Sequence, residues 1–363
     1  MNKERILILT TSKHGNGHYT AAKNLYAELT GTTNATCKLL DTDSHRGAKY
    51  MSPYSTLVKK LPLLWRLGGT LSDKSGLARQ ILLFDHGTFS IYTKDILRFK
   101  PTIVIHTNFT LDYTFGAFIR KVFSRCHQIC LSTDYGAVNS SQLGKWSDTI
   151  ITVDTDAEKK ANLLYPKRDV HTIFFPVDEL FWITDKRIKK PIKILFYAAW
   201  NKSHSFNLDF ILPLIQLVKD SKNFELTIVC GSNKGLLKKL QPHEENSIEV
   251  YGHIDSMPSI LRNSTVCVSK PGGAFISECF ASTVPVISYT EIPCQEEENI
   301  TSILKHNLGW KVTTPDELLE LLRTFPDDLS KIEKKVAAMV KYRDKLTSTN
   351  ITEIVTQISK RIG

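Results

Sequence analysis

Short apolar runs alternate with stretches of helical periodicity along the whole chain, and this alternation limits the fold more than any other feature. In the first half the runs predict strands at Arg5–Thr11, Thr36–Asp41, Thr102–His106, Gln128–Thr133, Asp148–Val153 and His171–Phe175. In the second half they predict strands at Lys193–Tyr197, Glu225–Cys230, Ile248–Tyr251, Thr265–Ser269, Val284–Tyr289 and Trp310–Val312. After Gly17 the apolar positions Ala22, Leu25, Tyr26 and Leu29 recur at helical spacing, which gives a first strand–helix unit. A chain that repeats this unit closes into parallel sheets with helices on both faces.

A charged segment bracketed by proline, Phe175 to Pro191, separates the two series and is the best candidate for a linker. The expectation is an α/β protein of two Rossmann-like, doubly wound domains facing each other across a cleft, residues 1–178 and 179–345. The tail beyond Pro315 is helical and lysine-rich, and its last part, 346–363, is expected to pack back on the first domain.

The chain has 363 residues and a net charge of +10, with ordinary charged (23%) and apolar (42%) fractions. Bulk disorder is thereby excluded, and the charge points to an acidic partner: a phosphorylated ligand, an anionic membrane or nucleic acid. Nucleic acid is disfavoured because no recognised module and no aromatic platform is present. The seven cysteines are scattered through apolar runs without zinc-like pairing, as expected of buried reduced thiols in a cytoplasmic protein. The apolar run after Arg5 is too short for a secretory signal, and no run is long enough to span a bilayer, so any membrane contact is expected to be peripheral.

The most chemical stretch is Lys270-Pro-Gly-Gly-Ala-Phe-Ile-Ser-Glu278, followed by Pro293-Cys-Gln-Glu-Glu-Glu-Asn299. A strand runs into Gly272-Gly273, where backbone N–H groups can approach a phosphate at a helix N-terminus. Glu278 can accept two hydrogen bonds from a ribose diol. Gln295, Glu296 and Asn299 form a polar cluster after the next strand, and Gln295 and Glu296 can hold sugar hydroxyls.

The first strand–helix turn contains Gly15-Asn-Gly-His18. Gly15 and Gly17 suit a tight turn, and Asp41 ends the next strand as a dinucleotide fingerprint requires. Thr20 stands where that fingerprint has its third glycine, and His18 would crowd a pyrophosphate, so a nicotinamide site is disfavoured. A histidine in the first turn of a helix feels the positive end of the macrodipole, which favours a neutral base near pH 7. The plainer alternative for His18 is an N-capping or exposed histidine.

Asp134 follows a strand and can orient His18, bind an acceptor, or simply end the strand. Residues 49–84 interleave Lys and Arg with Leu and Trp, which suits the interface of an anionic leaflet or else a buried amphipathic helix. The second domain opens on Ala198-Ala-Trp-Asn201, where a phosphate cradle would be glycine-rich. Either Lys202 and His204 replace the backbone donors or the loop has lost that task.

These motifs together resemble one family. The chain is similar to the monogalactosyldiacylglycerol synthases and the bacterial processive diacylglycerol glucosyltransferases, of GT-B architecture. The resemblance covers nearly the whole chain. It rests on Gly15-Asn-Gly-His18 with Ala21-Ala22, the stretch Tyr54 to Trp65, Lys100-Pro101, Thr133-Asp134 with Trp146, and Phe175 to Phe181. In the second half it rests on Cys230-Gly231, Tyr251-Gly252, Lys270 to Glu278 and Pro293 to Asn299.

The resemblance implies an inverting hexosyl transfer from a UDP-sugar to a lipid such as diacylglycerol, on the inner face of the cell membrane. It implies His18 as the base and Gly272 and Gly273 near the donor diphosphate; Asp134 is kept as a catalytic candidate and Gly17 as a donor-binding one from their positions after strands. Glu278 would then hold the ribose, while Gln295 and Glu296, with Asn299, would hold the hexose. It also implies no metal or other cofactor, and lipid contact through residues 49–84. Val138-Asn-Ser-Ser replaces the family's histidine after the Thr-Asp pair, and Cys294 replaces its glycine. A soluble acceptor, or a nucleotide-sugar epimerase or binding protein on the same fold, stays open as an alternative.

Overall fold

The computed structural model describes residues 4–12, 16–43, 70, 73–75, 80, 83–183, 186–199, 202–254, 256–292 and 296–362. The chain divides into two compact units. The first is Met1–Val177 with Pro293–Glu298 and Leu346–Gly363; the second is Asp178–Ile292 with Asn299–Lys345.

The first unit contains β1 (Arg5–Thr10), α1 (Asn16–Thr32), β2 (Thr36–Asp41), α2 (His86–Phe99) and β3 (Ile103–His106). It continues with α3 (Phe109–Val122), β4 (His127–Leu131), β5 (Thr149–Thr152), α4 (Thr155–Leu164) and β6 (Asp169–Thr172). The strands form one sheet in the order β2-β1-β3-β4-β5-β6, with every pairing parallel. Ile6 to Leu9 are buried to the last atom, as a strand covered by helices on both faces must be. Short polar side chains start the helices: Asp85, Asn108 and Asp154 accept N–H groups from the first turns of α2, α3 and α4. Phe89, Phe115 and Phe118 join α2 to α3, with ring centroids 5.5–5.8 Å apart.

The second unit contains β7 (Ile192–Tyr197), α5 (His204–Asp220), β8 (Phe224–Val229), α6 (Lys234–Leu240), β9 (Ile248–Tyr251), α7 (Met257–Asn263) and β10 (Val266–Ser269). It continues with α8 (Gly273–Ala281), β11 (Val286–Ser288), α9 (Glu297–Lys305, whose first two residues count with the first unit), β12 (Gly309–Lys311), α10 (Pro315–Arg323) and α11 (Ser330–Leu346, whose last residue counts with the first unit). Its sheet order is β12-β11-β10-β7-β8-β9, again parallel throughout. The last helix, α12 (Ile351–Ile362), belongs to the first unit. There its buried stripe Ile351, Ile354, Val355 and Ile358 is joined by a hydrogen bond from Thr352 to Glu28 of α1 and an Arg361–Asp169 ion pair.

Part of the segment expected to be a linker packs into the second unit; residues 184–185 lie outside the described residues. The division between units falls after Val177, and beyond it a single 3-10 turn at Glu179–Phe181 packs into the second unit. Ser282 donates to the Phe181 carbonyl and Ile183 N–H donates to the Ala281 carbonyl. Its apolar residues Phe181 and Ile183 explain why: a free linker has no use for them.

Candidate functional site

In each unit the strand order reverses direction beside the first strand, between β1 and β3 and between β7 and β10. Open parallel sheets bind ligands at the carboxyl ends of the strands at such a switch point. Of the expected site residues, Gly17 and His18 follow β1, and Gly272 and Gly273 follow β10.

In the first unit, the loop after β1 enters α1, whose third residue is His18. Its Nδ1 lies 2.8 Å from the carbonyl oxygen of Thr107, just after β3, and 3.0 Å from Oγ1 of Thr133, just after β4. A carbonyl oxygen only accepts, so Nδ1 carries the proton, and the lone pair of the neutral ring resides on Nε2. Asn108 ties the same edge together by donating 2.9 Å to Thr11 Oγ1.

Asp134 also stands at this edge, where its carboxylate accepts 2.8 Å from Gln142 Nε2. Gln142 lies in the 3-10 turn Ser140–Leu143, which Asn139 caps. This turn occupies the place where the resembled family has a histidine. Gly17 is in the first turn of α1. Gly15 lies outside the described residues, as does nearly all of the expected membrane segment 49–84.

In the second unit, β10 ends at Ser269 and the chain turns through Gly272, extended at φ −70° and ψ 132°, into α8. No side chain caps α8, so its first N–H groups are not taken by a cap. Asn299, fully buried on α9, donates 2.8 Å to the Pro271 carbonyl and so fixes the glycine turn. One and a half turns into α8, burial first and the Asp178 charge second push the Glu278 carboxyl up to about 8. Tyr197, at the end of β7, stacks on Phe275 with centroids 4.4 Å apart; burial, and after it Glu278, raises its phenol. Asn299 thus meets the Gly272–Gly273 turn, and Glu278 lies further along the helix that follows it.

Glu296 is buried and counts with the first unit, where the next residues also pack: Ala137 N–H donates 3.3 Å to Glu298. Gln295 and Cys294 lie outside the described residues.

Of the alanine loop after β7, Ala198 and Ala199 are described and Trp200 and Asn201 are not. The Ala199 N–H, a candidate phosphate donor, is buried and donates 2.7 Å to Tyr289 Oη and 3.1 Å to Asn207 Oδ1. Asn207 returns a bond to the Ala199 carbonyl. This N–H serves the core, not a ligand. Lys202 lies over the Phe206 ring and the His204 ring packs on Gly235.

The residues that sequence reasoning missed are Thr107, Thr133, Asn207, Tyr289 and Asp178. Thr133 carried a signal as the neighbour of Asp134, and Asp178 as part of the Phe175–Phe181 stretch. Burial raises the Cys230 thiol to about 11 and the Cys126 thiol to about 12, so neither is a reactive nucleophile.

Two doubly wound parallel sheets with interleaved helices, each offering polar groups at its switch point, define the GT-B fold, and solved structures agree along the whole chain. Acinetobacter baumannii MurG superposes with a TM-score of 0.62, 13% identity and coverage of 98% of this chain and 99% of that one. The S. aureus MnaA–UDP complex superposes with a TM-score of 0.64, 13% identity and coverage of 99% and 97%. No protein-family model matches. In sequence the chain is similar over its full length to the processive diacylglycerol beta-glucosyltransferase of Bacillus licheniformis. The two are 22% identical, over 98% of this chain and 94% of that protein. The resemblance read from the motifs therefore holds at full length.

Proposed function

We propose that this protein is an inverting glycosyltransferase that moves a hexose from a UDP-sugar to a lipid hydroxyl of the diacylglycerol or glycolipid type. The observation that carries the chemistry is His18: its Nδ1 proton is held by the Thr107 carbonyl, which puts the ring lone pair on Nε2, the nitrogen that takes the acceptor's proton in this reading. The full-length likeness to a diacylglycerol glucosyltransferase supports the substrate class.

In this reading the acceptor O–H bond breaks as its proton passes to His18 Nε2. The oxygen bonds to the anomeric carbon, and the bond from that carbon to the diphosphate breaks. The N-terminal N–H groups of α8 at Gly272–Gly273 take up charge on the departing UDP. Glu278 accepts from the ribose, and Asn299 keeps the glycine turn in shape. Gln295 and Glu296 hold the hexose, and Asp134, with Gln142 on it, lies on the acceptor side. The reading requires no metal or cofactor.

Among the described residues no helix is long and apolar enough to cross a membrane. The lipid is met peripherally, through residues 49–84, at the inner face of the cell membrane.

The test is UDP release from UDP-glucose, UDP-galactose and UDP-N-acetylglucosamine, with and without vesicles containing diacylglycerol, in excess EDTA. Release that requires the vesicles, with glycolipid formed, is expected. His18→Ala should lower turnover by about 10²- to 10⁴-fold while UDP still binds. Absence of glycolipid with every donor sinks the lipid reading, and full activity of His18→Ala removes the histidine from its role.

A further inference from the structure

We propose that Thr133 is a positioning residue for His18: its hydroxyl is the second acceptor for the Nδ1 proton and locks the ring that presents Nε2. The inference rests on the reading of His18 as a base, but its test has a readout independent of turnover.

The geometry decides the roles. The Thr107 carbonyl at 2.8 Å from Nδ1 excludes a lone pair on that nitrogen, because two acceptors cannot face each other at that distance. Thr133 Oγ1 at 3.0 Å from the same nitrogen then also accepts, in a three-centre arrangement. The two acceptors stand after neighbouring strands, Thr107 after β3 and Thr133 after β4, which pair directly. One acceptor fixes the tautomer, yet the ring can still swing about that single bond. Two acceptors from two strands fix the ring plane as well, and with it the direction of Nε2. The anchor is rigid: Thr133 is 7% exposed and Thr107 is fully buried, and Thr107 is itself tied to β1 through its N–H and hydroxyl on Leu9. Holding the second nitrogen of a working histidine by a fixed partner is how such rings keep their tautomer and aim.

The experiment is long-range ¹⁵N–¹H NMR of the full chain above the titration range of histidine, with the His18 signals assigned by their loss in His18→Gln. The unmodified protein should show His18 as the Nδ1–H tautomer with a slowly exchanging Nδ1 proton. Thr133→Val removes an acceptor while keeping the shape, and should speed exchange of that proton by about three- to ten-fold, the worth of one hydrogen bond. Thr133→Ser should restore the slow exchange. In the transfer assay the same valine variant should lose a comparable factor in kcat with KM for the donor unchanged, again rescued by serine. Unchanged proton exchange in Thr133→Val, or an Nε2–H tautomer in the unmodified protein, overturns the proposal. The expected NMR pattern in a protein that transfers no sugar would leave Thr133 in its role and refute the transferase reading instead.

Discussion

At Glu278, burial first and the charge of Asp178 second raise the carboxyl from an ordinary 4.5 to about 8. Stability against pH then has a definite sign. Below about 4.5 the carboxyl is protonated in both folded and unfolded chains. As the pH climbs from there to about 8, the unfolded chain releases the proton and the folded one keeps it, so stability falls. Above about 8 the loss is complete. Glu278→Gln cannot ionise, so it should lack this slope: its melting temperature relative to the unmodified protein should rise between pH 5 and pH 8.5. Parallel melting curves across that range would show that the raised carboxyl is absent.

The residue scale is also where the sequence was least legible. Glu278 announced itself by its spacing from Gly272-Gly273, and His18 by its place after a glycine turn. The shorter of the two His18 Nδ1 contacts is to a backbone carbonyl, and a carbonyl has no signature in the side-chain alphabet. Likewise, nothing in Ala198-Ala199 says that the Ala199 N–H is taken by a tyrosine 90 positions away.

At the scale of elements, the apolar runs located the strands: β3, β5 and β10 are buried on both faces and read as continuous apolar runs, while the edge strand β9 alternates buried and exposed positions. The ends slipped where tertiary bonds intervene. The run His171–Phe175 pairs only as β6, Asp169–Thr172; beyond it Phe174 N–H donates to the Leu346 carbonyl, a partner far along the chain. The run from Val284 shortens to β11 because Val284 N–H closes a turn onto the Cys279 carbonyl, with Thr283 at φ 51°.

The contact of α3 with the loop before β5 tests how tightly such elements meet. Buried Asp112 on α3 accepts from Lys145 N–H at 2.6 Å, Trp146 N–H at 2.9 Å and Ser147 Oγ at 2.6 Å. This draws Trp146 onto the helix at Gly116, where a methyl group would overlap the Trp146 side chain. Gly116→Ala gains helix propensity but must push the indole away. The overlap wins: the variant should lose about 1–3 kcal/mol in urea unfolding, the usual cost of overpacking. Equal or greater stability would mean that the loop yields freely, and that the Asp112 bonds do not hold it.

For the whole molecule, the division of labour follows from where each kind of group resides. The second unit has its own core around Phe196, Phe210, Ile228, Val268 and Phe325, and it carries Gly272, Gly273 and Glu278. The first has a separate core around Leu7, Leu9, Val104 and Phe115, and carries His18, Thr107 and Thr133. A nucleotide that binds only the second unit stabilises only that unit's folded state. At one hundred times its dissociation constant UDP adds about 2.7 kcal/mol, and for a unit of this size each kcal/mol raises the midpoint by about 2–4 °C. Calorimetry with UDP should therefore raise the transition of the second unit by roughly 5–10 °C. Gly273→Val crowds the turn proposed to take the diphosphate and should abolish the shift. Cores this distinct also allow the transitions to be assigned: Gly116→Ala, which lies in the first unit, should lower the other transition and leave the UDP response intact. A UDP shift that follows the Gly116→Ala transition instead would place the nucleotide on the first unit and reverse the assignment of donor and base.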